Sequence, residues 1–126
     1  MHQFDLKNKT AVITGGAQGF GLDIAKRFLE SGAKVIIWDI DEKELLKVSK
    51  NLNNKNLSFN TVDVSNYEHV KHTVSNIIKI TNIDILINNA GITGSTTPLW
   101  EYDVEEWNKI ININLMGTFN CCKCIV

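Results

Sequence analysis

The feature that most constrains the fold is an alternation: short continuous apolar runs take turns along the chain with longer stretches whose apolar residues recur at helical spacing. Thr10-Ala11-Val12-Ile13-Thr14 is an apolar run that stops at glycines, and Ile24, Ala25, Phe28 and Leu29 then follow a helical period up to Gly32. Lys34-Val35-Ile36-Ile37-Trp38-Asp39 has the unbroken apolar character of a strand covered on both faces. Asp41 with Glu44 predicts a capping box that opens a helix carrying Leu45, Leu46 and Leu52. A third strand is predicted over Leu57 to Val62. Ser65 with Glu68 predicts a second capped start before Val70, Val74, Ile77 and Ile78. Ile83-Asp84-Ile85-Leu86-Ile87 supplies a fourth strand. After a loop with the single proline, Pro98, Asp103 and Glu106 predict the start of a last helix through Trp107, Ile110, Ile111 and Leu115.

Strands that alternate strictly with helices imply an α/β fold. Right-handed crossovers lay each helix back over a parallel sheet, so helices cover both faces. The expected strand order is 3-2-1-4, and a ligand crevice then lies outside the carboxyl ends of strands 1 and 4, where the order reverses. Two glycine-bearing segments fall at those ends. The 126 residues have the length of one domain, and a 44% hydrophobic content suffices for a core.

Charge and composition exclude several classes. Thirteen Lys plus Arg against fourteen Asp plus Glu leave a net charge of −1, with no basic stripe for nucleic acid or anionic lipid. Met1-His2-Gln3-Phe4-Asp5-Leu6-Lys7 lacks the pattern of a secretory leader, and no apolar run is long enough to span a bilayer. The three cysteines, Cys121, Cys122 and Cys124, crowd one short stretch, unlike a secreted disulfide framework. These features together point to the cytoplasm.

Thr14-Gly15-Gly16-Ala17-Gln18-Gly19-Phe20-Gly21 joins the first strand to the first helix. Unpaired N–H groups and the positive end of a helix suit a pyrophosphate there, and glycines let the backbone come close to it. The alternative is a glycine turn without a ligand. The spacing is Gly-x-x-x-Gly-x-Gly, not the Gly-x-Gly-x-x-Gly of the common dinucleotide fingerprint. It resembles the short-chain dehydrogenase/reductase family. Three more segments carry the resemblance: Asp63-Val64 after strand 3, Asn88-Asn89-Ala90-Gly91 after strand 4, and Trp107 with Asn112-Ile113-Asn114-Leu115-Met116-Gly117 in the last helix. Their order and spacing cover nearly the whole chain.

The resemblance implies a Rossmann-type fold and an oxidoreductase that interconverts alcohols with ketones or aldehydes using a nicotinamide dinucleotide. Gly15, Gln18, Gly19, Phe20 and Gly21 are the candidates at the phosphates. Asp39 ends strand 2, where a carboxylate accepts hydrogen bonds from the adenosine ribose and repels a 2′-phosphate. Neither Gln18 nor Ile40 offers a cation to neutralise such a phosphate, so NAD is expected over NADP, with Asp39 and Ile40 at the ribose. The alternative for Asp39 is a turn residue leading to Asp41. By resemblance, Asp63 caps the adenine edge with Val64 beside it, and Asn89, Ala90 and Gly91 contact the nicotinamide ribose. Asp63 is alternatively a residue that starts a helix, and Asn88 and Asn89 also suit strand-end hydrogen bonding.

Carbonyl reduction needs a proton donor beside the reacting oxygen. The family uses a serine and a Tyr-x-x-x-Lys pair that normally lie beyond residue 126. Tyr67-Glu68-His69-Val70-Lys71 fits the string but follows strand 3. Three strand steps of about 4.8 Å put it roughly 14 Å from the nicotinamide side, so it is expected to be a surface helix pair. Asn114 is a positional match to a helix asparagine of the catalytic group that supports a water. The chain is therefore expected to be a single incomplete domain over residues 1–126, stopping after about four strands and inactive by itself. The other reading is a non-catalytic NAD-binding remnant. An unpaired strand 4 edge and the last helix predict self-association, poor solubility or marginal stability. A small alcohol or carbonyl substrate would bind only with the remaining half supplied.

Other residues receive plainer readings. Three crowded thiols offer no zinc spacing, and His69 with His72 share a helix face without a carboxylate or cysteine cluster nearby, so no metal is expected. Trp38, Trp100 and Trp107 are expected to pack, with Trp100 in the loop after strand 4 a possible neighbour of a ligand.

Overall fold

The computed structural model describes residues 4–126; Met1, His2 and Gln3, which open the segment read as lacking a leader, lie outside the described residues. The elements run β1 (Thr10–Thr14), α1 (Gly19–Glu30), β2 (Lys34–Asp39), α2 (Glu42–Leu52), β3 (Leu57–Thr61), α3 (Tyr67–Ile78) and β4 (Ile85–Ile87). A 3-10 turn at Leu99–Glu101 leads to α4 (Val104–Ile111), a π-helical segment (Asn112–Met116) and α5 (Gly117–Ile125). The four strands form a parallel sheet in the order β3-β2-β1-β4, as the alternation predicts. Register aligns the carboxyl ends that matter: Thr14 pairs with Trp38, Ile13 with Ile87 and Asp39 with Thr61.

Successive side chains of a strand point to opposite faces, so the unbroken apolar runs feed two cores. Val12, Ile36 and Trp38 turn to one face, where they meet Val70, Val74 and Ile77 of α3 and Cys121 of α5. Ile13, Val35 and Ile37 turn to the other and meet Ala25 of α1 with Leu45 and Val48 of α2. Every residue of β1 is buried. Helix α1 stops in a paired-carbonyl motif: Gly32 N donates to Leu29 O at 3.0 Å and Ala33 N to Phe28 O at 3.1 Å.

Several local expectations need correction. Asp41 and Asp103 do cap α2 and α4, accepting from Glu44 N and Glu106 N at 3.2 Å each. The third cap is Asn66, not Ser65: α3 starts at Tyr67, so the cap position falls on Asn66, whose Oδ1 accepts from His69 N at 3.0 Å, while Ser65 N and Oγ donate back to Asp63 Oδ1. The last helix is interrupted by the π segment. Of the tryptophans only Trp38 is fully buried, its Nε1 donating to Asn60 Oδ1 at 3.2 Å. Trp100 is 84% exposed, and Trp107 is 46% exposed with its ring edge-on to Tyr102. Cys121 is buried, and Cys122 and Cys124 are half-buried. No helix among the described residues is long and apolar enough to cross a membrane.

Candidate functional site

The carboxyl ends of the strands open into a cleft of about 360 Å³. Eleven of the twelve cofactor candidates line it: Gly15, Gln18, Gly19, Phe20, Asp39, Ile40, Asp63, Val64, Asn89, Ala90 and Gly91. Trp38, Val62, Ile92 and Ile113 complete the lining, which includes two carboxylates and no lysine, arginine or histidine.

One wall is the amino end of α1. Gln18 takes the N-cap position in an extended conformation, makes no side-chain cap, and is followed by a first turn without acidic residues. The first N–H groups of α1 therefore face forward without a side-chain acceptor, and the helix dipole adds positive potential. Gly19 sits at φ +58, where other residues are strained, and a Cβ there would meet nothing within 4 Å. Gly21, the remaining candidate, does not line the cleft. A Cβ on it would run into the Gly15 carbonyl and Asn89 Nδ2, so its place is close packing of α1 against the two loops.

Loops after β1 and β4 are locked together. Thr14 Oγ1 accepts from Asn89 N at 3.0 Å and Ala90 N at 2.9 Å and donates to Ile87 O, while Asn89 Nδ2 donates to Gly15 O at 3.1 Å. Thr14 is buried and was not among the sequence candidates, although it begins the glycine segment. Asn88 Nδ2 donates to Cys122 Sγ at 3.4 Å. Asp39 serves the turn and the cleft together: Oδ1 accepts from Asp41 N and Oδ2 from Ala17 N, at 3.2 Å each, so it also props the glycine loop. Asp63 lines the far wall while Oδ1 holds Ser65.

Asn114 lies in the π segment and does not line the cleft. Its Oδ1 accepts from Ile92 N at 2.8 Å and its Nδ2 donates to Ile92 O at 2.9 Å, pinning the loop that follows Gly91. Tyr67 and Lys71 are also outside the lining; Tyr67 lies on α3 beneath Lys123, whose Nζ is 5.5 Å from the ring centre. Burial pushes the Cys121 thiol up to about 12 and also raises Cys124. Among the described residues no group of three or more His, Cys, Asp or Glu could hold a metal ion.

Residues 9–126 match the family described as short chain dehydrogenase. The chain belongs to the short chain dehydrogenase family. Among its short chain dehydrogenase relatives, the 3-oxoacyl-(acyl-carrier-protein) reductase of Chlamydia trachomatis is 40% identical over 125 residues, covering 96% of this chain and 50% of the relative. The 2-dehydro-3-deoxy-L-rhamnonate dehydrogenase (NAD(+)) of a Sphingomonas strain is 34% identical over 119 residues, 94% of this chain and 47% of that one. The crystal structure of 3-ketoacyl-(acyl-carrier-protein) reductase from Brucella melitensis complexed with NADH superposes with a TM-score of 0.88 at 32% identity, over 94% of this chain and 49% of the other. The chain thus spans about half the length of the relatives it matches.

Proposed function

We propose that the cleft binds NAD and that this chain is the cofactor-binding part of an oxidoreductase that interconverts alcohols with ketones or aldehydes. The observation that carries the reading is one cleft lined both by an uncapped helix amino end and by the Asp39 carboxylate. N–H groups of α1 hold the pyrophosphate, for which the open space at Gly19 leaves room. Asp39 accepts from the adenosine ribose hydroxyls, and its charge, with no lining cation to offset it, disfavours a 2′-phosphate. Val62, Val64 and Ile113 offer an apolar slot for adenine beside Asp63. Asn89 and Ala90, locked to Thr14, and Gly91 after them face the nicotinamide ribose. When bound, NAD supplies a hydride acceptor.

Residues 1–126 contain one Tyr-x-x-x-Lys string, Tyr67 to Lys71, and it lies away from the cleft. This span is therefore proposed to bind cofactor without turnover. The apolar outer face of α4 to α5, with Trp107, Leu115 and Phe119 exposed, together with the outer edge of β4, is proposed to drive self-association in a cytoplasmic setting. Calorimetric titration of the chain with NAD and NADP tests the binding claim. NAD is expected to bind with a clear preference, and an equal or stronger response to NADP would overturn it. Absorbance at the NADH band with an alcohol and ketone panel is expected to stay flat.

A further inference from the structure

Asn120 is 3% exposed, on the face of α5 that meets the core. Its chain neighbour Cys121 belongs to the core that Val62, Val64, Val70 and Val74 also build, and a buried amide on this face is costly unless paired. Asn120 Nδ2 donates to Val64 O at 2.9 Å. That carbonyl belongs to the stretch between the end of β3 at Thr61 and the start of α3 at Tyr67, outside the sheet ladder. One turn before Asn120, Gly117 lets the same residue come close: a Cβ on Gly117 would lie 2.7 Å from Val64 Cγ2. Helix α5 contributes nothing to the cleft lining, yet by polar and steric contact it grips Val64, which with Asp63 lines the far wall.

We infer that Asn120 is a positioning residue for the cofactor cleft: its buried amide, with Gly117 beneath it, holds the Asp63-Val64 wall in place for the adenine end of the dinucleotide. The inference rests on the reading of the cleft as an NAD site. Without the amide the Val64 carbonyl loses its donor, and the segment is free to rotate away from the position that receives the base.

Asn120→Leu keeps the side-chain size and removes the donor. Calorimetry with AMP and with NAD, on protein whose fold is checked by circular dichroism, is expected to show both affinities reduced by the same factor, roughly five- to tenfold, because the change acts on the half they share. A folded variant that binds AMP as the unaltered chain does would overturn the role of Asn120 and leave the NAD reading intact. If the unaltered chain binds neither AMP nor NAD, the reading itself falls and the inference with it. Should the leucine variant fail to fold, NMR of the unaltered chain decides. AMP is expected to shift the Asn120 side-chain amide and the Val64 and Ser65 backbone amides, and silence at all three on saturation overturns the inference.

Discussion

Gly21→Ala tests whether the third glycine of the turn serves packing instead of ligand contact. The added Cβ would sit 2.5 Å from Asn89 Nδ2, closer still to the Gly15 carbonyl oxygen, and 2.9 Å from the Gly15 carbonyl carbon. Backbone cannot yield as a flexible side chain does, so either α1 moves out or the β1 loop moves down. Overpacking of this kind costs about 1–3 kcal/mol. Loss of the Asn89 Nδ2 to Gly15 O hydrogen bond adds about 1 kcal/mol, and the better helix propensity of alanine returns about 1 kcal/mol. The net is about 2 kcal/mol, or a fall in Tm of roughly 6–10 °C for a domain of this size. Gly19→Ala is the control: its Cβ meets nothing within 4 Å but is held at φ +58, a strain of about 1–2 kcal/mol, and it intrudes on the phosphate side of the cleft. Scanning calorimetry combined with NAD titration is expected to separate the two, with Gly21→Ala losing more stability and Gly19→Ala losing affinity tenfold or more while folded. A Gly21→Ala protein that melts within a degree or two of the parent would refute the packing argument.

Three further outcomes are expected. Asp39→Ala removes a charged acceptor and the prop on Ala17 N; hydrogen bonds to charge are worth about 1.5–3 kcal/mol, so NAD affinity should fall about 10- to 100-fold with weaker discrimination against NADP, and calorimetry showing both unchanged would remove Asp39 from the site. Asn114→Ala releases both Ile92 backbone groups, and hydrogen exchange at the Ile92 amide should accelerate; an unchanged rate would mean that something else holds the loop. Cys121 ionises near its ordinary value of 9.0 when unfolded but, buried, stays protonated up to about 12. The folded chain then binds more protons across that window, so stability should decline as pH rises from 9 towards 12. Cys121→Ala should flatten part of that slope, and identical pH profiles for the two proteins would contradict the assignment.

Much of this was legible because it depends on local chemistry. Periodicity located all four strands, and Asp41 and Asp103 marked their helices because a carboxylate needs only its own backbone neighbours to cap. Ser65 failed as a cap since it lies one residue too early: it turns its amide and hydroxyl back to Asp63, and the cap position before Tyr67 falls on Asn66. Trp107 looked like a core residue from its helical spacing, but spacing says which residues share a face, not what that face meets. Eleven candidates from four separated segments come together at one cleft, as expected when strand ends in register carry them. Thr14, Ile92 and Ile113 were missed: a hydroxyl that bridges two loops, and apolar residues that face a cleft, look in sequence like any threonine or isoleucine.

By itself the sequence determined the α/β order, the strand arrangement and the glycine turn before α1, all consequences of residue type and spacing along the chain. Only the tertiary structure decided that Gly21 packs where Gly19 opens space, that Asp39 also props the glycine loop through Ala17 N, and that α5 reaches Val64 through Asn120. Those are contacts between residues 22 to 68 apart in the chain, or choices between identical glycines, and nothing in a residue's near neighbours encodes which distant backbone atom will lie against it.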